Sequence, residues 1–340
     1  MKRKLVSIQE IKEIIPIEDA DSIEVIKIMG WQCVSKKGDF KVGDKCVYFE
    51  VDSYLPIEER YEFLRTSSYR KNEYIGEGFR IKTIKLRGQL SQGLAIPISL
   101  YPNLSEKQVG DDVTDILGVV KWEMPEVQGS NGVSIGDKPF GIPTTDELRV
   151  QSIEIFIENL KGHPFYITTK MDGTSCSMYH NNGQVGVTGR NEEFKDDDTN
   201  SFWKYAKEKE ILVKLKETGK NYVIQGEFCG HGIQKNRLKL KKPEFFAFDV
   251  YNLDEHKYLD YFSFVLLMEK LEVKTVPIEE VGDSFNYTLE QLLEKAKGKY
   301  ESGENKEGIV VRPIFTTWVK EISNRLSFKV LNNDFLLKEK

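Results

Sequence analysis

Only four cysteines occur in 340 residues, Cys33, Cys46, Cys176 and Cys229, and no two form a C-x-x-C pair. That scatter excludes a disulfide-stapled scaffold and a cysteine zinc knuckle, and points to reduced thiols in an intracellular protein. Histidine is equally scarce: His163, His180, His231 and His256 share no metal-ligand spacing, so none is given a role. No long apolar run exists either. The N-terminal MKRKLVSIQEI has basic residues without the apolar core of a secretory leader. The most apolar helical stretch, FSFVLLMEKL, is broken by charge and too short to cross a bilayer, so no membrane partner is expected. An excess of positive charge is also missing. With 49 basic against 54 acidic residues the net charge is -5, so a nucleic-acid partner would have to meet a local patch.

What is present suffices for real cores, at 39% apolar content, and the length suggests two domains. Up to about residue 120, short β-rich runs alternate with turns: IEVIKI, WQCVSKK, KCVYFEV and a stretch alternating from Phe79 to Leu86. Strands this short read as a small antiparallel barrel, with IEERYEFLRTSSYRKNEY as a helical or irregular insertion. Lys82, Lys85 and Arg87 lie among those strands, either as a solvated outer face or as a groove for a phosphate backbone. VQGSNGVSIGDKPFGIPTTDELR is rich in Gly, Pro and Ser and reads as a connection. The expected organisation is a barrel over 1–120, a linker over 121–145 and a second domain over 146–340. Thr144, Thr145 and Asp146 can cap a helix through ELRVQSIEIFIENL, where Val150, Ile153, Ile157 and Leu160 keep helical spacing. Beyond it, strands such as FYITTK, NYVIQGEF, EFFAFDVY and EGIVVRP mix with three helical segments. The second domain is therefore α+β, with antiparallel sheets flanked by helices.

One lysine stands out in TTKMDGTS. Lys170 ends an apolar strand, with Asp172 and Gly173 ready to turn the chain toward a ligand. A nucleophilic lysine must lose a proton near neutral pH, which burial or a nearby cation makes possible by lowering its pKa. K-x-D-G alone is weakly specific. It is followed in order by TGRNEEF, IQGEFCG, EFFAFDVY, KEGIVVRP and RLSFKVLN. This series resembles the motifs of the covalent nucleotidyltransferase superfamily, which comprises polynucleotide ligases and mRNA capping enzymes, and it spans residues 149 to 335. Capping enzymes and many DNA ligases carry Arg two residues past the motif glycine, where this chain has Ser175. They also place an OB barrel after the last motif, whereas here the barrel-like module comes first. That order is similar to the ATP-dependent RNA ligases with an N-terminal OB domain, typified by the Deinococcus and Naegleria enzymes.

The resemblance implies an OB fold followed by an adenylyltransferase domain. It implies a reaction of the ATP-type RNA ligases that joins 3′-hydroxyl and 5′-phosphate RNA ends, with nicks in duplexes as the expected substrate, through lysyl-AMP and adenylylated RNA. Lys170 would be the nucleophile, with Asp172, Glu227, Glu307 and Lys329 completing the catalytic set. Asp172, Glu227 and Glu307 would supply hard oxygen ligands to Mg²⁺ or Mn²⁺, partly through waters. Thr169, Arg149, Arg190, Asn191, Phe248, Phe246, Val310 and Arg312 would surround the ATP. Of the two aromatics, Phe248 is favoured to stack on adenine, with Phe246 as the fallback. Strand alternation sets both on one face and Asp249 on the other. One departure concerns the last motif, where a lysine pair is usual and this chain has Ser327 before Lys329. Arg325, Lys320 or Arg312 could restore the missing charge. The basic run QKNRLKLKK (Lys235, Arg237, Lys239, Lys241, Lys242) reads equally as an RNA grip or a solvated loop. The expected partners are thus RNA and ATP, and the state expected is a monomer. A DNA ligase or guanylyltransferase using the same lysine, and a non-catalytic RNA-binding barrel protein, remain as alternatives.

Overall fold

The computed structural model describes residues 3–122 and 132–338. They fall into two compact units. The first lies within Met1–Pro125, Val150–Glu154 and Leu336–Lys340, and the second within Glu126–Arg149 and Ile155–Phe335.

In the first unit, strand Lys45–Phe49 sits between Val6–Glu10 and Leu94–Pro97 in an antiparallel sheet. Its alternation feeds two cores at once. Val47 and Phe49 pack with Ile8, Leu55, Tyr61 and Phe79. Cys46 and Tyr48 pack with Ile26, Trp31 and Cys33. Each such fully buried side chain contributes about 1.5–3 kcal/mol. The insertion is a 3-10 helix, Glu59–Leu64, one helical turn, Arg65–Ser68, and a strand, Tyr69–Asn72. The run from Phe79 to Leu86 is not one strand. Gly76–Arg80 pairs with Ser53–Leu55 and Tyr69–Asn72, while Thr83–Leu86 forms a hairpin with Gln89–Gln92. Lys85 and Arg87 are exposed near that hairpin turn, and Lys82 is half-buried.

The second unit is built on two sheets. The larger has seven strands in the order Ser134–Asp137, Glu192–Phe194, Gln184–Thr188, Thr174–Asn181, Tyr222–Cys229, Glu244–Asn252 and Lys257–Tyr258. The smaller runs Leu148–Arg149, Phe328–Leu331, Gly308–Pro313, Phe165–Lys170 and Ile278–Gly282. Helices Ser201–Glu208, Ile211–Glu217 and Tyr261–Leu271 bury Phe202, Leu215 and Met268 in one core with Met178, Ile224, Phe228 and Phe245. Asn200 caps the first of these by accepting the Phe202 and Trp203 N–H groups. The helical reading of 201–219 breaks at Glu210, whose φ of 54° ends one helix and starts the next.

Two sequence expectations change here. The helix read through ELRVQSIEIFIENL begins only at Ile155. Leu148 and Arg149 instead pair in parallel with Phe328 and Lys329, because a sheet edge satisfies their backbone groups and overrides helical periodicity. Within the stretch read as a linker, Ser134–Asp137 is an edge strand beside Glu192–Phe194, and residues 123–131 lie outside the described chain.

Candidate active site

Strand register assembles the site. In the five-stranded sheet Arg149, Lys329, Val310 and Thr168 stand side by side across four strands. Two residues further along the same face Lys170 comes opposite Gly308. Arg149, Lys329 and Lys170 thus share one face of the sheet. Gly308 has a φ of 151°, and a Cβ there would lie 2.1 Å from the Val330 carbonyl oxygen, so no other residue fits between Glu307 and the strand. In the seven-stranded sheet Ser175, Glu227 and Phe246 form one row. Gly173 lets Glu227 approach, since a Cβ would meet the Phe228 carbonyl at 2.5 Å and the Glu227 Cγ at 2.9 Å. Close approach is what this glycine provides, in place of the tight turn read from sequence.

The residues expected to be catalytic converge. The Lys170 Nζ donates to Glu307 Oε2 at 2.9 Å. Burial pulls this amine down, yet Glu307, Glu227 and Asp172 together outweigh it and hold the amine above its ordinary value. The depressed lysine expected from sequence is therefore not what the chain's own groups produce, because three acids surround one amine. The acids feel each other in turn. Burial, with Glu307 and Asp172 adding to it, pushes Glu227 up to about 7 against the pull of Lys170. Asp172 is also raised, by burial and Glu307, although Arg237 Nη1 donates to its Oδ2 at 2.8 Å. Lys329 is the depressed amine: burial first, then Lys170 and Arg149, lower it to about 7.

Asp172, Glu227 and Glu307 are the residues that could hold a divalent cation. They are hard oxygen donors whose mutual repulsion an ion would relieve. Among the described residues no three His, Cys, Asp or Glu side chains converge into a cage.

Other predicted residues are placed as follows. Phe246 and Phe248 are half-buried in one cluster with Met171, Cys229, Leu238, Leu240 and Tyr300. A β-bulge shifts the register between Gln225 and Gly226, leaving Phe248 as the extra residue and setting Asp249 opposite Gln225. This corrects the alternation argument: Asp249 lies on the face of Phe246 and Glu227. Its Oδ2 meets Arg325 Nη2 at 2.5 Å and Arg312 Nη2 at 3.6 Å. Glu147 Oε1 accepts from the same two arginines at 2.9 and 3.0 Å. Arg312, expected at the nucleotide, and Arg325, a candidate replacement charge, are thus both neutralised in a buried quartet. Neither supplies spare charge beside Ser327. Thr169 faces away from Lys170, because alternation turns its side chain to the opposite face, where it donates to Glu279 at 2.8 Å. Arg190 pairs with Asp146 at 2.5 Å, and Asn191 is exposed, its carbonyl accepting the Lys138 N–H. Ser175 Oγ lies 2.7 Å from Thr145 Oγ1. Of the basic run, Arg237 turns inward to Asp172 while Lys235, Lys239, Lys241 and Lys242 are exposed.

Sequence reading missed Glu147 and Tyr300. Glu147 sits in a stretch read as helix. Tyr300 lies in a hairpin before Glu307, and its hydroxyl accepts the Glu307 N–H at 3.0 Å and donates to the Lys170 carbonyl at 2.8 Å.

Comparison with known proteins agrees with this architecture. An OB-fold domain model matches residues 5–98 and an RNA ligase model matches residues 163–331. Structures of Naegleria gruberi RNA ligase superpose closely. A variant of that enzyme with ATP and manganese shares 37% identity at a TM-score of 0.92, covering 99% of each chain. Its complex with pyrophosphate shares 38% identity at a TM-score of 0.92, again over 99% of each chain. A second variant, with AMP and manganese, gives 38%, 0.92 and the same coverage. No curated relative matches the chain. The fold is thus an N-terminal OB domain followed by an α+β ligase domain.

Proposed function

This chain belongs to the RNA ligase family, and from that premise we propose that it is an ATP-dependent RNA ligase in which Lys170 carries the adenylate. The Lys170 amine, once its extra proton has passed to solvent, attacks the α-phosphorus of ATP; an N–P bond forms with loss of an N–H proton, and the P–O bond to pyrophosphate breaks with its electrons leaving on pyrophosphate. AMP then passes to an RNA 5′-phosphate, and a 3′-hydroxyl attacks the activated end and releases AMP. The Lys170–Glu307 contact at 2.9 Å is the observation that carries this reading.

Each side chain has a task in it. Glu307 orients the amine for attack. Lys329 and Arg149, on the same face as Lys170, meet the phosphates. Phe248 and Phe246 offer rings to the adenine, and Val310 packs against it from the other sheet. Arg190 serves the ribose or the 5′-phosphate. Asp172, Glu227 and Glu307 would hold Mg²⁺ or Mn²⁺. A bound cation there would offset the acids that keep Lys170 charged and the charge growing on the α-phosphate. The substrate read from this is RNA, at nicks in duplexes, bound by the barrel over 1–120 and adenylylated by the domain over 146–340. The enzyme would act as a monomer inside the cell, where its four buried free cysteines stay reduced.

The test is incubation with each α-labelled NTP and Mg²⁺ or Mn²⁺, followed by peptide mapping. Label from ATP alone, on Lys170, is expected. Lys170→Ala should take none yet seal a pre-adenylylated strand. Label from GTP would instead mark a guanylyltransferase, and retention of label by Lys170→Ala would remove the nucleophile assignment.

A further inference from the structure

Tyr300 stands where two catalytic strands part. Phe165–Lys170 leaves the sheet at Lys170 just as Gly308–Pro313 enters it, and Lys170 opposite Gly308 is their last paired position. One residue beyond, the Tyr300 hydroxyl takes the Glu307 N–H at 3.0 Å and gives its own proton to the Lys170 carbonyl at 2.8 Å. A phenol oxygen is thus inserted as a rung between the backbones that carry the amine and its carboxylate partner.

The phenol is itself held. Its residue belongs to a hairpin closed by the Lys299–Asn305 bridge, with its N–H donating to the Glu304 carbonyl at 2.9 Å. Its ring packs against the buried cluster of Met171, Cys229 and Val276. On the far side, the Asn332 N–H donates to the Glu307 carbonyl, and the Asn332 Nδ2 to the Lys306 carbonyl, each at 2.9 Å. Glu307 is therefore gripped at both its N–H and its C=O. Beside the strand pairing of Lys170 with Gly308 and the side-chain contact at 2.9 Å, the phenol is a direct tie from that grip to the Lys170 backbone.

We infer that Tyr300 is a positioning residue for adenylylation: its hydroxyl sets the separation of Lys170 and Glu307 and so the aim of the nucleophile. This rests on Lys170 being the nucleophile, as proposed above. A displacement on the order of 1 Å at a reacting group costs about a hundredfold in rate. Both hydrogen bonds of the hydroxyl go to backbone groups, so its loss should act on rate and leave ATP affinity alone.

The experiment compares wild-type, Tyr300→Phe and Leu240→Ala in single-turnover labelling at saturating ATP. Leu240→Ala disturbs the same cluster while keeping the phenol. Tyr300→Phe should label Lys170 roughly ten- to hundredfold more slowly with its ATP KM within about twofold of wild type. Its sealing of pre-adenylylated RNA, which forms no bond to Lys170, should fall much less. Leu240→Ala should lower the melting temperature without that rate loss. A Tyr300→Phe rate within about twofold of wild type overturns the inference. So does an equal rate loss in Leu240→Ala at a matched fall in melting temperature, or an equal loss in the sealing step. A wild-type protein that takes no label at Lys170 overturns the parent reading instead, and this inference with it.

Discussion

Lys329 offers the sharpest test of the electrostatics. Burial, then Lys170 and Arg149, bring its amine to about 7, well under its ordinary 10.5. At pH 8 such an amine is roughly nine-tenths neutral. A phosphate beside it favours the charged form, so nucleotide binding must take up a proton, roughly 0.9 per site at that pH. Affinity should then weaken as pH rises, by roughly eightfold in Kd between pH 7.5 and 8.5, approaching tenfold per unit above that. Titration calorimetry with α,β-methylene-ATP, which cannot transfer its adenylate, in buffers of different ionisation heat measures both quantities. Lys329→Met should abolish the uptake and flatten the pH dependence. The sign for folding is the reverse. Between about 7 and 10.5 the unfolded chain binds one more proton than the folded one, so the cost of burying Lys329 is full below 7 and relieved as pH rises. The stability gap between Lys329→Met and wild type should accordingly narrow over that range. Zero proton uptake by the wild type, with a pH-flat affinity, would refute the reasoning.

Two further outcomes are expected. Asp249→Ala leaves Arg325 and Arg312 sharing only Glu147, and removing one member of a buried ion set costs about 3–5 kcal/mol; a denaturant midpoint corresponding to a loss under about 1 kcal/mol would contradict the quartet. Arg237→Gln should slow adenylylation while RNA affinity stays within about twofold and its salt dependence is unchanged; a flatter salt dependence would restore Arg237 to the RNA.

Lys170 stands out because it ends an apolar strand and Glu227 because it lies in one, a costly placement unless used, whereas Glu307 is reached through the family motif. Lys329 was found through the family motif. Strands and most helices are legible from hydrophobic period, whereas the caps at Asn200 and Thr288 emerge only in the structure. What stayed hidden depended on register. The bulge at Phe248 reverses the face of Asp249, and nothing local announces it. The inward turn of Arg237 depends on Asp172, 65 positions away in the chain. The raised amine of Lys170 reflects three acids from separate strands and loops, a sum that no single motif contains.

Glu147, Asp249, Arg312 and Arg325 come from separate stretches of chain and balance one another largely out of reach of solvent. Evolution cannot trade such a set one member at a time, since every single exchange strands a charge. Across homologues these four positions should drift only in concert, with arginine and acid lost together and replaced by uncharged side chains of like size. Descendants would then inherit the motor of the enzyme unchanged while its keystone is recast as a block.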